Sequence, residues 1–280
     1  MDLNDAVRYV AYRFGYLIES EYVDLEVETS EDWKVLENYK RIQSIDKTKS
    51  QQILLKEYDE EILNKFNYSV KINPWLKEDI SQEALELAKI GFYPGGNQIT
   101  IPHFDQNNRF IGLRGRVLGE EEASLYGKYR PLKVNKILYN HPLGMNLYNL
   151  NNSKNNISAV GKAIVLEGEK SALKYQSYFG IDNDISVACC GSNVSNYQIE
   201  LLKSYGAKEV IIAMDRQFKQ LNDEEFKHLV KKLKKLHTKY KNDVLISFMF
   251  DKDMITGYKD SPIDCGPDIF LKLFKERVIL

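Results

Sequence analysis

The sequence has few cysteines and no pattern that would build a structural zinc site. Its 280 residues contain three cysteines (Cys189, Cys190 and Cys265) and four scattered histidines. Two of the cysteines are adjacent and no CxxC pair exists, so neither a disulfide framework nor a zinc ribbon or finger is expected in this chain. The cysteine usage indicates a protein of a reducing compartment.

The sequence also lacks long apolar runs and an excess of charge of one sign. The longest apolar runs, such as 163–167 and 210–214, are far too short to cross a bilayer, and no signal peptide precedes them, so no membrane association is expected. Lys and Arg total 39 against 40 Asp and Glu. This balance excludes a generally basic polyanion binder, so a nucleic-acid site must be a local patch. A Gly-Lys-Ser/Thr phosphate loop is missing too, which excludes a helicase ATPase.

What is present is a change of hydrophobic pattern along the chain. Two alternating segments, 97–104 and 109–118, enclose the turn sequence DQNN and predict a β-hairpin. From residue 163 onward, short apolar runs alternate with helical segments, which is typical of a parallel sheet covered on both faces. The expected fold class is therefore α/β, with an α+β part in front. The helical segments lie at 1–18, 30–42, 57–66, 81–89, 169–179, 196–205, 222–240 and 265–276.

The polar sequence NNSKNN at 151–156 is interpreted as a linker. It divides the chain into a mostly helical segment at 1–70, a basic α+β subdomain at 71–156 and an α/β domain at 157–280. The basic run at 228–241 is interpreted as the solvated face of a helix.

Acidic residues follow three of the four apolar runs. Glu167, Asp215 and Asp251 stand at expected strand ends, and a turn before the last helix adds Asp260 and Asp264. The carboxyl ends of parallel strands meet at one edge of a sheet, so these carboxylates are expected to converge there. Carboxylate oxygens are ligands that Mg²⁺ prefers, and such a cluster suits phosphoryl transfer. The alternative is that Glu167 only caps the helix that follows it.

Basic residues are concentrated in and after the predicted hairpin. Between 109 and 136, seven basic and three acidic residues give a local net charge of +4, whereas the whole chain has −1. Arg114 and Arg116 are two positions apart and share one face of a strand. This arrangement suits phosphate contacts, although a solvated hairpin face would have the same pattern. The candidate nucleic-acid and nucleotide ligands are Arg114, Arg116, Lys128, Arg130, Lys133, Lys136 and Lys170.

The segment after residue 160 resembles the TOPRIM domain of topoisomerases, primases and some nucleases. The motifs are VLEGEKSAL at 165–173, ACCGSN at 188–193, VIIAMD at 210–215 and GYKDSPID at 257–264. By position, Glu167 matches the invariant Glu of that family and Asp215 matches the first acid of its Asp-x-Asp. Gln217 stands where the second Asp is normal, and Asp260, Asp264, Asp251 or Glu169 could compensate.

The segments at 91–118 and 126–140 resemble the basic subdomain of the RNA-polymerase core of bacterial and phage primases. The resemblance implies a primase catalytic core without its zinc-ribbon module, which could lie in a longer parent protein or be naturally absent. It implies that Glu167, Asp215 and Asp260 act at the catalytic centre and that Mg²⁺ or Mn²⁺ is held by them, with Asp251 and Asp264 as further candidates.

The expected activity is synthesis of short RNA primers on single-stranded DNA from ribonucleoside triphosphates, in phage or mobile-element replication within a bacterial cytoplasm. A replicative helicase is a possible partner. A TOPRIM nuclease and a DNA-binding accessory protein without catalysis stay open as alternatives. A topoisomerase is disfavoured because no domain with a nucleophilic tyrosine accompanies the TOPRIM part.

Overall fold

Two five-stranded β-sheets form the framework of the protein in the computed structural model, which describes residues 54–68 and 74–279. The predicted helices at 1–18 and 30–42 lie outside the described residues. Residues 55–280 form one compact unit. The α/β fold class is therefore confirmed, while the subdivision at residues 70 and 156 stays a prediction.

The first sheet is an antiparallel meander in which each strand pairs with the next along the chain. Its hairpin, predicted from the alternating pattern, is β2 and β3, and the sequence analysis did not identify the two strands that follow. The strands are β1 (Gly91–Tyr93), β2 (Gln98–Phe104), β3 (Phe110–Val117), β4 (Tyr129–Val134) and β5 (Ile137–Tyr139). The helical segments around them are the 3-10 turns Glu60–Lys65, Pro74–Glu78 and Pro94–Gly96, with helices α1 (Gln82–Leu87) and α2 (Glu120–Tyr126).

The second sheet contains the four parallel strands that the apolar runs predicted, in the order β10-β9-β8-β6-β7. Only β10 is antiparallel, and it pairs with β9 at one edge. The strands are β6 (Lys162–Leu166), β7 (Ser186–Ala188), β8 (Glu209–Ala213), β9 (Leu245–Phe248) and β10 (Val278–Ile279). The helices are α3 (Leu150–Val160), α4 (Glu169–Phe179), α5 (Asn196–Ser204), α6 (Glu224–Tyr240) and α7 (Pro267–Lys275), with 3-10 turns at Leu143–Met145, Ile181–Asn183 and Pro262–Cys265.

The core of the second sheet explains why its strands read as continuous apolar runs. Residues 163–166 of β6 are fully buried, and residues 209–213 of β8 are buried throughout, because helices cover both faces of the sheet. No helix in the part of the chain that the structure describes is long and apolar enough to cross a bilayer.

The linker predicted at 151–156 is wrong, because this segment lies inside helix α3. Leu150, Ser153 and Ile157 are buried on one face of the helix. Its asparagines do not solvate a flexible segment. Asn156 Nδ2 donates to two backbone carbonyls of the connection between α4 and β7, those of Ile181 and Asp184. The polar sequence at 151–156 can therefore form a helix, because only three residues of α3 are buried against the rest of the protein.

Candidate active site

Two acidic residues lie side by side at the carboxyl edge of the parallel sheet. β6 and β8 are adjacent and in register, with Leu166 opposite Ala213. Glu167 follows the first strand directly, and Asp215 lies two residues beyond the end of the second. The backbone of Asp215 is close enough to the Glu167 carboxylate to lower its pKa, so the two acids are neighbours. The convergence expected from the strand pattern is present for this pair.

A third acid reaches the same edge through a backbone pairing. The Arg216 N–H donates to the Asp260 carbonyl over 3.0 Å, and the Lys259 N–H donates to the Arg216 carbonyl over 2.8 Å. These bonds hold the turn 257–260 against the segment after β8. The Asp260 carboxylate accepts from the Gly257 N–H at 3.0 Å and therefore faces back into this turn.

The pKa values report how closely the acids approach one another. The pKa of Asp215 is raised to about 7, first by burial and then by the negative charges of Glu167, Asp264 and Asp260. Burial also raises the pKa of Glu167. Asp215 Oδ1 is buried without a hydrogen-bond partner among the described residues. The site thus contains more negative charge than the neighbouring cations neutralise.

Asp264 lies beside the cluster but is already paired with lysine. Its Oδ1 is 3.0 Å from Lys174 Nζ and 3.8 Å from Lys170 Nζ, and its Oδ2 accepts from the Ser261 N–H at 3.2 Å. Lys170, a predicted nucleotide ligand, also pairs with Glu78 over 2.7 Å. The structure therefore places Lys170 at the acid edge, where its charge lowers the pKa of Asp215.

Asp251 was a candidate metal ligand, and its contacts give it a different role. Its side chain is buried, and both oxygens accept hydrogen bonds from the turn that follows β9. Oδ1 accepts from the Ile255 N–H at 2.9 Å, and Oδ2 accepts from the Thr256 N–H at 2.8 Å and the Thr256 hydroxyl at 2.7 Å. A carboxylate used in this way holds a turn and has little remaining capacity for a metal ion.

Gln217 occupies the position of the missing second acid. Its Nε2 donates to Glu167 Oε2 over 3.4 Å, at an exposed position. The amide contributes no charge to the cluster, and its contact lowers the pKa of Glu167. Gly168, next to Glu167, has open space where a Cβ would stand, so a ligand could approach the backbone there.

Arg114 was predicted to contact phosphates, and the structure instead pairs it with a buried carboxylate. Its Nη1 is 2.5 Å from Glu169 Oε1, and His103 Nε2 is 3.1 Å from the same oxygen. The side chain of Arg114 is only 12% exposed and that of Glu169 only 2%. The guanidinium and His103 hold the pKa of Glu169 well below its usual range despite its burial.

The sequence analysis missed this buried pair because Glu169 and Arg114 lie 55 positions apart on different elements. Together with Cys190, His103 and Glu169 offer three possible metal-ligand atoms within 4.8 Å of one another. We assign no metal to this group, because the Arg114 guanidinium already supplies the counter-charge of the carboxylate.

The other basic candidates lie on the first sheet, around a groove. Tyr93–Gln98 and Arg130–Lys133 line this groove together with Glu122, and its volume is about 670 Å³. Arg130 forms an ion pair with Glu122 at the groove wall. Among the other candidates, Lys128, Lys133 and Lys136 are exposed, whereas Arg116 is half-buried beside Tyr129.

The chain is similar in sequence to a prophage protein and to part of a bacterial primase. No protein-family model matches the chain. It is 35% identical over 292 residues to the SPbeta prophage-derived uncharacterized protein YorJ of Bacillus subtilis, an alignment that covers 99% of this chain and 74% of that protein. It is 36% identical over 116 residues to a DNA primase of Clostridium acetobutylicum, covering 41% of this chain and 17% of that protein.

Solved structures of bacterial primases share the fold. The zinc-binding and RNA polymerase domains of the Aquifex aeolicus primase match with a TM-score of 0.59 at 18% identity, covering 99% of this chain and 68% of that one. A DnaG primase catalytic domain bound to single-stranded DNA matches with a TM-score of 0.58 at 18% identity, covering 79% and 77%. The Escherichia coli primase catalytic core matches with a TM-score of 0.58 at 19% identity, covering 79% of each chain.

Proposed function

Because this chain belongs to the same family as the prophage protein YorJ and has the fold of a bacterial primase catalytic core, we propose that it is a primase-type nucleotidyltransferase. It synthesises short RNA primers on single-stranded DNA during replication of a phage or mobile element in a bacterial cytoplasm. The observation that carries the proposal is the convergence of Glu167, Asp215 and Asp260 at one sheet edge.

The acid cluster fits a divalent metal. Asp215 has a buried oxygen without a described partner and a pKa raised to about 7 by its acidic neighbours. Such a group favours a cation that replaces the missing counter-charge, and hard oxygen ligands favour Mg²⁺ or Mn²⁺. Glu167, Asp215 and Asp260 would hold the metal, and Asp264 is a weaker candidate because lysine already pairs with it. Asp251 is left out of our ligand set.

A bound divalent metal supplies charge neutralisation at the phosphoryl group that is transferred. The protein's own residues bind and orient the substrates. Lys170 lies beside the acids, where it can contact nucleotide phosphates if its pairing with Glu78 opens.

The groove residues Arg130 and Lys133 and the nearby Arg116, Lys128 and Lys136 are proposed to contact the phosphates of template and nucleotide. Arg114 is excluded from this set by its buried pairing with Glu169. A replicative helicase would deliver the single-stranded template.

Primer synthesis tests this function. The protein is incubated with single-stranded DNA, labelled ribonucleoside triphosphates and Mn²⁺, and the products are separated by size. We expect short oligomers from the wild type and at least about a hundredfold less from Glu167→Gln, which removes the charge that holds the metal. Glu83→Gln is the matched control, because it makes the same Glu-to-Gln change at an exposed position of α1 and should retain most of the synthesis.

Two other outcomes would contradict the proposal. Fragmentation of the DNA without synthesis, lost in Glu167→Gln, would indicate a TOPRIM nuclease. DNA binding with neither synthesis nor cleavage would indicate an accessory protein, for which Gln217 in place of an acid is the specific observation.

A further inference from the structure

Helix α6 is the most strongly basic element among the described residues. Its only acids, Glu224 and Glu225, are in the first turn. The remaining fifteen positions contain two histidines and no acid. The lysines of the helix are Lys227, Lys231, Lys232, Lys234, Lys235 and Lys239.

The apolar side of α6 is fixed beside the acid edge of the second sheet. Phe226 packs against Phe218 and Phe250, with ring centroids 5.4 and 5.6 Å apart. Leu229 and Leu233 line a cavity of about 40 Å³ together with Asp215. The first three turns of the helix therefore lie beside the proposed metal site.

The opposite side of α6 is a stripe of like charge. Lys227, Lys231, Lys235 and Lys239 recur every fourth residue and are all exposed, about 6 Å apart along the helix axis. Like charges at this spacing destabilise a helix. Lys231, Lys234 and Lys235 form no ion pair with any residue in 54–68 or 74–279 to offset that repulsion.

The composition of the exposed side indicates the kind of partner. Every residue that is exposed along α6 is Glu, Lys, His or Thr, and each apolar residue of the helix is at least partly covered. A protein-binding surface would need apolar or aromatic side chains at its centre, whereas phosphate binding needs only the cations.

We propose that the exposed lysines of α6 form a second nucleic-acid contact, which holds the phosphate backbone of single-stranded DNA beyond the metal site. The proposal depends on the proposed function in one respect, namely that the bound nucleic acid is single-stranded DNA. It extends the DNA path to a face of the molecule other than the groove of the first sheet. This reverses the interpretation from the sequence, where the run at 228–241 was assigned to solvent, because the structure places the helix next to the acid cluster.

The salt dependence of DNA binding tests this surface. Binding of a labelled oligothymidine strand is measured by fluorescence anisotropy at several salt concentrations in EDTA, so that no catalysis is needed. The test variant is Lys231→Gln/Lys234→Gln/Lys235→Gln. The matched control is Lys65→Gln/Lys77→Gln/Lys208→Gln, which removes the same charge from exposed positions, with Lys208 at the opposite edge of the second sheet.

We expect the test variant to bind several-fold more weakly than the control at low salt. The slope of log K against log salt should fall by about 2, since each lost contact with single-stranded DNA contributes roughly 0.7. Equal affinity and equal slope in the two variants would overturn the proposal, and circular dichroism verifies that both are folded. If synthesis fails in the wild type but the slope changes as expected, the primase function is wrong and this DNA surface stands. If the wild type synthesises primers but the test variant has the same salt slope as the control, the primase function stands and the α6 surface is wrong.

Discussion

At the residue scale, the most informative side chain is Asp215, whose ionisation opposes folding in the absence of metal. Its pKa in the folded protein is about 7, above the ordinary value of 3.8. Between these pH values the folded chain keeps a proton that the unfolded chain has lost. Stability is therefore expected to fall as the pH rises from about 4 to 7, and the penalty persists at higher pH.

Replacing this carboxylate should consequently stabilise the metal-free protein. In EDTA at pH 8, we expect Asp215→Asn to be more stable than the wild type by about 1–2 kcal/mol, a value reduced for the partial solvent access of the site. The difference should disappear near pH 4, and Mn²⁺ should stabilise the wild type but not the variant. Thermal unfolding at both pH values measures this. A variant that is less stable than the wild type at pH 8 would contradict the electrostatic account.

At the scale of elements, the buried pair of Arg114 and Glu169 connects β3 of the first sheet to the start of α4 on the second. Because α4 begins two residues after Glu167, this ion pair also fixes the position of the loop that carries this proposed metal ligand. Arg114 is thus a positioning residue in this account. Breaking this ion pair is costly, because removal of one partner leaves an uncompensated buried charge.

We expect Arg114→Ala to lower the free energy of unfolding by about 3–5 kcal/mol. The double variant Arg114→Met/Glu169→Leu should lose much less, because both charges are removed together. Arg130→Ala is the control, since its pair with Glu122 is partly exposed and should contribute less than about 1 kcal/mol. Urea unfolding at pH 7 measures all three. Similar losses in Arg114→Ala and in the double variant would refute the pairing.

The elements show what periodicity could and could not predict. The parallel strands β6 to β9 and helices α4 to α7 were predicted because burial on both sheet faces demands continuous apolar runs. Helix α3 was missed because its face needs only Leu150, Ser153 and Ile157 for packing. The apolar pattern of 57–66 and 81–89 places Leu63, Phe66, Leu85 and Leu87 in the core; the first three are buried, whereas Leu87 is 41% exposed.

The candidate site was predictable only where its residues stand at strand ends. Strand ends locate Glu167 and Asp215, since parallel strands share one carboxyl edge. The role of Asp251 and the pairing of Arg114 depend on local turns and on contacts between distant segments. No spacing rule in the sequence contains that information.

At the scale of the whole molecule, the near-zero net charge is a cancellation between separated surfaces. The groove of the first sheet and helix α6 are basic, and the carboxyl edge of the second sheet is acidic. A nucleotidyltransferase needs this separation, because cations hold the phosphate backbone while acids hold the metal. The acids come from segments far apart in the sequence, so the proposed metal site depends on the complete fold of residues 163–264.

Direct binding of Mn²⁺ is the measurement that tests the central claim most sharply. Mn²⁺ is titrated into the wild type, Glu167→Gln, Asp215→Asn and the exposed control Glu83→Gln, and the free ion is followed by electron paramagnetic resonance. The account predicts that binding is weakened at least about tenfold in the first two variants and is retained in the control. Equal binding by the wild type and Glu167→Gln, or none by the wild type, would contradict a metal site at this sheet edge.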